Sequence, residues 1–198
     1  MDKIRALRLS KIGIIILLCF MISGCIGAAV TGAGLVYDHN NVSRKATDFY
    51  LDGIINNTIK NDSEFNNSRV AVTVFHRIVL LTGQVPTEKL RKKAVTLIQS
   101  IPNIRRIYNS ITISKPISLA KQTDDVWLTT QIKGRLIASK EIDPNAIKVV
   151  TENSVVYLIG IVTHPQANIA IQIARSTRVV RKVVIIFFYF TVEGLSDQ

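Results

Sequence analysis

Few side chains of this sequence could support catalysis. The chain of 198 residues has two cysteines and three histidines. His39, His76 and His164 are far apart, and no spacing would bring imidazoles together as metal ligands or as a general base. Cys25 is different, because it follows two small residues and an apolar run. The sequence therefore predicts no enzyme, no metal site and no cofactor, and it leaves Cys25 as the residue with chemistry to explain.

The segment before Cys25 has the order of a secretory signal peptide. Four basic residues precede an apolar run from Ile12 to Ile22, which Ser23 and Gly24 follow. The run is too short for a bilayer-spanning helix, which needs about 20 residues, so a retained transmembrane anchor is the weaker interpretation. Residues Ile22-Ser23-Gly24-Cys25 resemble the lipobox of bacterial lipoproteins. The alternative is a cysteine that merely lies near the end of an ordinary signal peptide.

The lipobox resemblance implies cleavage before Cys25 and covalent acyl chains on it, an N-palmitoyl group and an S-diacylglycerol group. Cleavage would leave Cys25 as the only cysteine, so no intramolecular disulfide could form. Ile26 stands where aspartate would signal inner-membrane retention in enteric bacteria, which favours the outer membrane.

The chain is strongly basic, with a formal net charge of +11. The signal segment holds only four of the 25 Lys and Arg residues, so a large positive excess remains after cleavage. Such an excess favours polyanions as partners. Export removes most access to nucleic acid, and no GxxG loop lies between predicted helices. Anionic lipid is therefore the leading partner, with no nucleic acid expected.

After the signal peptide, the sequence divides into a tether and two similar modules. An offset of 77 positions superposes Tyr50 on Trp127 and Gly83 on Gly160, with most apolar positions between them, which indicates an internal duplication. We assign a signal peptide (1–24), a lipidated flexible tether (25–45), a first domain (46–115), a linker (116–124) and a second domain (125–192).

Each copy shows the pattern helix, strand, strand, helix, strand. The predicted fold class is α+β: two tandem αββαβ sandwiches, each with a three-stranded mixed sheet packed on two helices. The closing strand from Val183 to Phe190 is almost wholly apolar. One small domain could not bury both faces of this strand, so we expect the two copies to pack on each other.

An apolar hairpin that ends in a single glycine occurs in both copies, at Val79 to Gly83 and at Val156 to Gly160. With these marks and the stretch Asp124 to Thr130, residues Tyr50 to Phe190 resemble a tandem of BON domains. The chain is similar to the dual BON-domain outer-membrane lipoproteins of the division and outer membrane stress-associated lipid-binding family. The resemblance implies a periplasm-facing lipoprotein that binds anionic phospholipid through the first helix of its second domain, supports envelope integrity and gathers at division sites.

The residues themselves indicate the same helix, from Asp124 to about Lys140. The spacing of Leu128, Ile132 and Leu136 predicts its core face, and the indole of Trp127 suits a membrane interface. Lys133, Arg135 and Lys140 would supply positive charge. The predicted phospholipid-binding residues are Trp127, Thr130, Gln131, Lys133, Gly134 and Ile137.

Two other interpretations remain open for this helix. Trp127 could be a core aromatic beside an ordinary solvated face of basic residues, or the surface could belong to a periplasmic interaction or scaffold module of an envelope or secretion assembly. Tyr50, the counterpart of Trp127, is flanked by Asp48 and Asp52, which predicts a poorer lipid face.

Three further features favour structural roles. Gly83 and Gly160 end strands, so positive φ or close packing is expected to explain them. Asp124 and Asp125 are interpreted as capping residues at a helix start. The basic run Lys89 to Lys93 is most simply a solvated helix face, although a secondary headgroup contact is an alternative.

Overall fold

The computed structural model describes residues 39–143 and 145–190. The signal peptide, Cys25 and most of the tether lie outside these residues. The helices are α1 (His39–Lys60), α2 (Glu88–Gln99), α3 (Leu119–Ala138) and α4 (His164–Arg175), with a short 3-10 helix at Ser63–Phe65. The strands are β1 (Arg69–Phe75), β2 (Ile78–Val85), β3 (Arg106–Asn109), β4 (Thr112–Ile113), β5 (Ile147–Glu152), β6 (Val155–Val162) and β7 (Lys182–Tyr189).

Both copies have the predicted order, and the α+β fold class is confirmed. In the first domain, β1 pairs antiparallel with β2, and β3 and β4 pair parallel with β2. In the second domain, β5 pairs antiparallel with β6, and β6 pairs parallel with β7. The two sheets differ at the closing strand, which is split into β3 and β4 in the first domain and continuous in the second.

Two helices begin earlier than the sequence indicated. The helix α1 begins at His39, so residues 39–45 are helical rather than part of a flexible tether. Likewise, α3 begins at Leu119 rather than at Asp124, and the Ser118 side chain caps it by accepting a hydrogen bond from the Lys121 backbone amide at 3.2 Å. Once a helix has formed, each added residue contributes one backbone hydrogen bond, so polar residues can extend it at low cost. The polar stretches before the predicted helices therefore did not show where these helices begin.

Each hairpin turns through two residues with positive φ, His76 and Arg77 in the first copy and Asn153 and Ser154 in the second. A carboxylate from the first helix of the same domain satisfies the amides of each turn. Asp125 accepts hydrogen bonds from the Asn153 and Ser154 amides at 2.5 and 2.9 Å. The assignment of Asp124 and Asp125 to a helix start was therefore wrong, because both lie inside α3, and Asp125 caps a distant turn instead.

Asp48 holds the same place in the first domain. Its carboxylate accepts hydrogen bonds from the His76 and Arg77 amides at 2.7 and 2.8 Å. Burial lowers the pKa of His76. The 77-residue offset therefore reproduces a tertiary contact as well as a pattern of apolar residues.

The described residues form four layers, in the order helices, sheet, sheet, helices. One apolar core lies between the first sheet and helices α1 and α2, and a second lies between the other sheet and α3 and α4. A third core lies between the two sheets and contains Leu80, Tyr157, Ile159 and Ile186. The expectation that the two copies pack on each other is confirmed.

A buried ion pair adds polar specificity to the contact between the sheets. Glu152, only 6% exposed, accepts hydrogen bonds from the Arg69 guanidinium at 2.5 and 2.6 Å and from the Gln84 amide at 2.7 Å. The Gln84 side-chain oxygen in turn accepts from the Ile117 amide at 3.2 Å. The network thus fixes the domains to each other and to the chain between them.

Candidate functional site

The helix α3 has one buried face and one exposed apolar face. Leu128, Ile132 and Leu136 enter the core of the second domain. The opposite face carries four large apolar side chains with exposed fractions of 58 to 80%. These side chains are Leu119, Val126, Trp127 and Ile137. We call these four residues the apolar stripe of α3.

The predicted lipid-binding residues all lie exposed on α3. Trp127 is 58% exposed, so the alternative that it is a core aromatic is wrong. The Thr130 hydroxyl donates a hydrogen bond to the Val126 carbonyl of the same helix at 2.9 Å, so the hydroxyl lies close against the helix backbone. Apart from the neighbouring residues and backbone of α3 itself, no atom lies within 4 Å of the place where a Cβ on Gly134 would stand. Packing therefore does not require glycine there, and the absence of a side chain exposes the helix backbone beside the stripe.

The basic residues of α3 have different roles. Lys133 is exposed at the flank of the apolar stripe, and no ion pair joins it to an acidic side chain among the described residues. Arg135 donates to Thr177 Oγ1 at 2.7 Å, Ser176 Oγ at 2.9 Å and the Ile173 carbonyl at 3.2 Å. The guanidinium thus holds the end of α4, a structural role that the sequence did not predict.

Lys133 also borders an open cleft that carries both signs of charge. The cleft lies at the edges of the two sheets and has a volume of about 840 Å³. Its charged lining residues are Arg44, Lys45, Lys133, Lys148, Asp48, Asp52 and Asp143. Burial raises the pKa of the Asp52 carboxyl, an effect that a hydrogen bond from Asn56 and the charge of Lys148 oppose. The basic side chains beside the stripe are therefore largely balanced by acidic ones within the cleft.

The corresponding face of α1 has a similar shape but different charges. Phe49 and Tyr50 are 84 and 67% exposed, and the offset places them on Val126 and Trp127. Asp48 cannot distinguish the two faces, because Asp125 occupies the same place beside Trp127. The difference lies further along, where Asp52, Asn56 and Lys60 of α1 correspond to Thr129, Lys133 and Ile137 of α3. The face on α1 is thus more acidic and less apolar.

The other features proposed from the sequence have structural explanations. Gly83 has φ 113°, and a Cβ there would stand 2.0 Å from the Arg69 carbonyl oxygen. Gly160 has no positive φ, but a Cβ would stand 2.7 Å from the Ala146 carbonyl oxygen. Both glycines thus allow the neighbouring strand to approach.

The basic run on α2 is largely occupied by acidic partners. Lys93 pairs with Asp62 and Glu64 at 2.5 Å, Lys89 pairs with Glu64 at 3.5 Å, and Arg91 pairs with Glu88 at 2.8 Å. These contacts lower the pKa of Asp62 and of Glu64. The run is a partly paired helix face, which weakens its case as a headgroup contact.

Within residues 39–143 and 145–190, no three His, Cys, Asp or Glu side chains gather as metal ligands. His164 stacks on Tyr189 with ring centroids 4.1 Å apart. None of the described helices is long and apolar enough to cross a membrane.

The fold and the repeated hairpin define a protein built from two BON domains. Residues 47–115 and 124–185 each match the BON domain. The chain is 31% identical over 186 residues to the outer membrane lipoprotein DolP of Haemophilus influenzae. The aligned region covers 91% of this chain and 96% of that protein. The chain therefore belongs to the DolP family of outer-membrane lipoproteins.

A second relative and one solved structure also match the chain. The 21 kDa hemolysin of Actinobacillus pleuropneumoniae is 31% identical over 153 residues, or 77% of this chain and 79% of that protein. A solved structure of CdsD, a structural protein of the type III secretion system of Chlamydia trachomatis, is 11% identical and covers 72% of this chain and 93% of its own, with a TM-score of 0.29. That TM-score is too low to support a structural comparison.

Proposed function

We propose that this lipoprotein binds anionic phospholipid through the outer face of α3, and that acyl chains on Cys25 hold it on the outer membrane, facing the periplasm. The observation that carries the proposal is the apolar stripe of α3, which lies opposite the core and contains the only tryptophan of the chain. The envelope and division roles implied by the family resemblance belong to the same proposal.

The stripe and its surroundings have the chemistry that an anionic bilayer surface requires. Apolar side chains that leave water contribute about 25 cal/mol per Å² of buried area. An indole at the headgroup level keeps its N–H hydrated, and a lysine near an anionic surface contributes about 1 kcal/mol. Lys133 stands where such a contribution is available.

Liposome binding tests the lipid surface. A chain that begins at Ile26 should bind anionic vesicles with a blue shift of Trp127 emission, should not bind neutral vesicles, and should bind less as salt rises, because exposed charges are screened over about 8 Å at physiological ionic strength. Trp127→Glu should abolish binding without changing the melting temperature. The matched control is Tyr50→Glu, which should bind like the parent chain.

Either of two results would favour the protein-interaction module instead. One is equal binding to neutral and anionic vesicles, and the other is normal binding by the Trp127→Glu chain. An apolar exposed stripe also suits a protein partner, so the dependence on lipid charge decides between the two functions.

The anchor is tested separately. Cys25→Ser in the full chain should leave an uncleaved precursor that incorporates no labelled palmitate. A single acyl chain gives only marginal attachment, and stable attachment requires a second signal, so several chains on Cys25 would suffice without the α3 surface. A processed soluble product from the Cys25→Ser chain would contradict the anchor and leave the lipid surface unaffected.

A further inference from the structure

The segment that joins α4 to β7 is exposed and strongly basic. Residues 175–182 contain four exposed basic side chains and no acidic residue. The four are Arg175, Arg178, Arg181 and Lys182. None of them forms an ion pair with an acidic side chain among residues 39–143 and 145–190. We call residues 175–182 the basic loop.

An unusual backbone conformation holds an apolar side chain in the middle of this loop. Val179 has φ 76° and is 61% exposed. A β-branched residue rarely adopts positive φ, because its Cβ then crowds the neighbouring backbone. Such a conformation persists only where surrounding contacts fix it. One such contact is the hydrogen bond that the Arg181 amide donates to the Ser154 carbonyl at 2.9 Å. The loop therefore presents Val179 to solvent between basic side chains.

Two sets of hydrogen bonds place the basic loop along one side of α3. At one end, the Arg135 guanidinium donates to the hydroxyls of residues 176–177. At the other end, the Arg181 guanidinium donates at 2.6 Å to the carbonyl of Asn153, in the hairpin turn that α3 caps. Trp127 lies two helical turns before Arg135 on the same side of α3, because residues four apart share a side. The loop thus flanks the part of the apolar stripe that contains Trp127.

The equivalent loop of the first domain lacks this combination. Asn103 is the counterpart of Val179, because each lies three residues before the first residue of its closing strand. Asn103 also has positive φ, at 69°, but asparagine tolerates this conformation well. Two of the basic positions are uncharged there, where Gln99 and Pro102 replace Arg175 and Arg178. The added charges and the strained valine therefore occur in the domain whose first helix carries the apolar stripe.

We propose that the basic loop is a second membrane contact beside α3, in which Val179 enters the headgroup region and the basic side chains bind lipid phosphate groups. This inference rests on the proposed lipid function and adds a site to it. Guanidinium groups bind phosphate oxygens in a bidentate geometry, and an apolar side chain among cations suits the boundary between headgroups and acyl chains. Lys133 does not serve this side, because it lies two residues from Arg135 and thus on the opposite side of the helix.

A fluorescent label at residue 179 tests the contact directly. A chain that begins at Ile26 contains no cysteine, so Val179→Cys can carry a single environment-sensitive fluorophore. Its emission should shift to the blue with vesicles that contain anionic phospholipid, and should not change with neutral vesicles or with inorganic phosphate alone. Asn103→Cys is the matched control, because it labels the same turn of the first domain, and it should not respond. No shift at residue 179, or an equal shift at residue 103, would overturn the proposal.

Charge removal tests the phosphate contacts. The double variant Arg175→Gln with Arg178→Gln should weaken binding to anionic vesicles about fivefold for each lost charge, which corresponds to about 1 kcal/mol per basic residue near the surface. The matched control is Lys60→Gln with Lys92→Gln, which removes two exposed basic residues of the first domain. It should hardly change binding, because charges far from the bilayer are screened. Equal losses in the two double variants would reduce the loop to a share of the net charge and overturn the contact.

A last variant separates binding from stability. Val179→Asn should raise the melting temperature, because asparagine relieves the positive φ, and should nevertheless weaken vesicle binding. Normal vesicle binding by Val179→Asn and by the arginine double variant would indicate an acidic protein as the partner of the loop and overturn the proposal. The Trp127→Glu chain still decides the function of α3 by itself, since its normal binding would overturn that function whatever the loop variants do. A parent chain that binds no anionic vesicle would overturn both.

Discussion

Gly83 and Gly160 occupy equivalent places in the two domains, but their physical requirements differ. At Gly83 both the positive φ and the Arg69 carbonyl exclude a side chain. At Gly160 the backbone conformation would accept one, and only the Ala146 carbonyl at 2.7 Å and the neighbouring Ile147 side chain oppose it. The sequence predicted a backbone role for both residues, because each glycine was expected to end an apolar strand. That expectation was wrong, since the strands continue to Val85 and to Val162. The sequence could not separate the two causes, which depend on φ and on the approach of another strand.

Gly83→Ala should destabilise the protein more than Gly160→Ala. A Cβ at positive φ costs about 1–2 kcal/mol, and the clash with Arg69 adds to this, whereas Gly160→Ala introduces a clash alone, which typically costs about 1–3 kcal/mol. Urea unfolding of each variant measures the difference. Both variants should bind anionic vesicles normally while folded. Lost lipid binding with unchanged stability would instead place these glycines in a ligand site.

At the scale of the elements, the apolar periodicity predicted both hairpins and all four helices. It left open whether Trp127 is exposed, and only the family resemblance favoured an exposed position. The starts of α1 and α3 were missed because the polar stretches before them gave no apolar signal. The role of Asp125 was missed for another reason. A carboxylate inside a helix and an amide pair in a turn 28 residues later are joined only by the packing of α3 on β5. The matching pair of Asp48 and Asp125 in the repeat was the one available signal.

The carboxylate of Asp125 should therefore stabilise the joint between α3 and its hairpin. Asp125→Ala would leave the amides of Asn153 and Ser154 without their acceptor and Lys121 without its ion pair, and unsatisfied buried groups cost about 1–3 kcal/mol each. Asp124→Ala is the matched control, because Asp124 is the exposed neighbour on the same helix. Thermal melting should fall for the first variant and hardly change for the second. Equal losses would contradict the capping role.

At the scale of the whole molecule, the apolar closing strand predicted that the two domains pack together, and they do so face to face between their sheets. Val184, Ile186 and Phe188 contact the core between the sheets, while Val183 and Phe187 contact the helix side. The orientation of the domains was not predictable, because the residues that join them carry no recognisable sequence signal. Arg69, Gln84 and Glu152 are not adjacent in sequence, and no motif surrounds any of them. Only the fold brings them together.

The shared core should make the two domains unfold as one unit. Separation would expose Leu80, Tyr157 and Ile186 to water and break the ion pair between Arg69 and Glu152, so neither domain is expected to be stable alone. Calorimetry should show a single transition with equal calorimetric and van't Hoff enthalpies. Gly83→Ala should shift that whole transition rather than part of it. Two resolved transitions would contradict this expectation.

The position of β7 as the last described strand has a consequence for biogenesis. Export delivers the chain from its N-terminus, so the first domain emerges with the outer face of β2 uncovered. Ile186, which covers that face together with Tyr157 and Ile159, arrives only with the last described strand. Until then Leu80 and its neighbours remain accessible, and such transient apolar surfaces favour aggregation. We therefore expect newly exported chains to depend on envelope chaperones until β7 has been translocated.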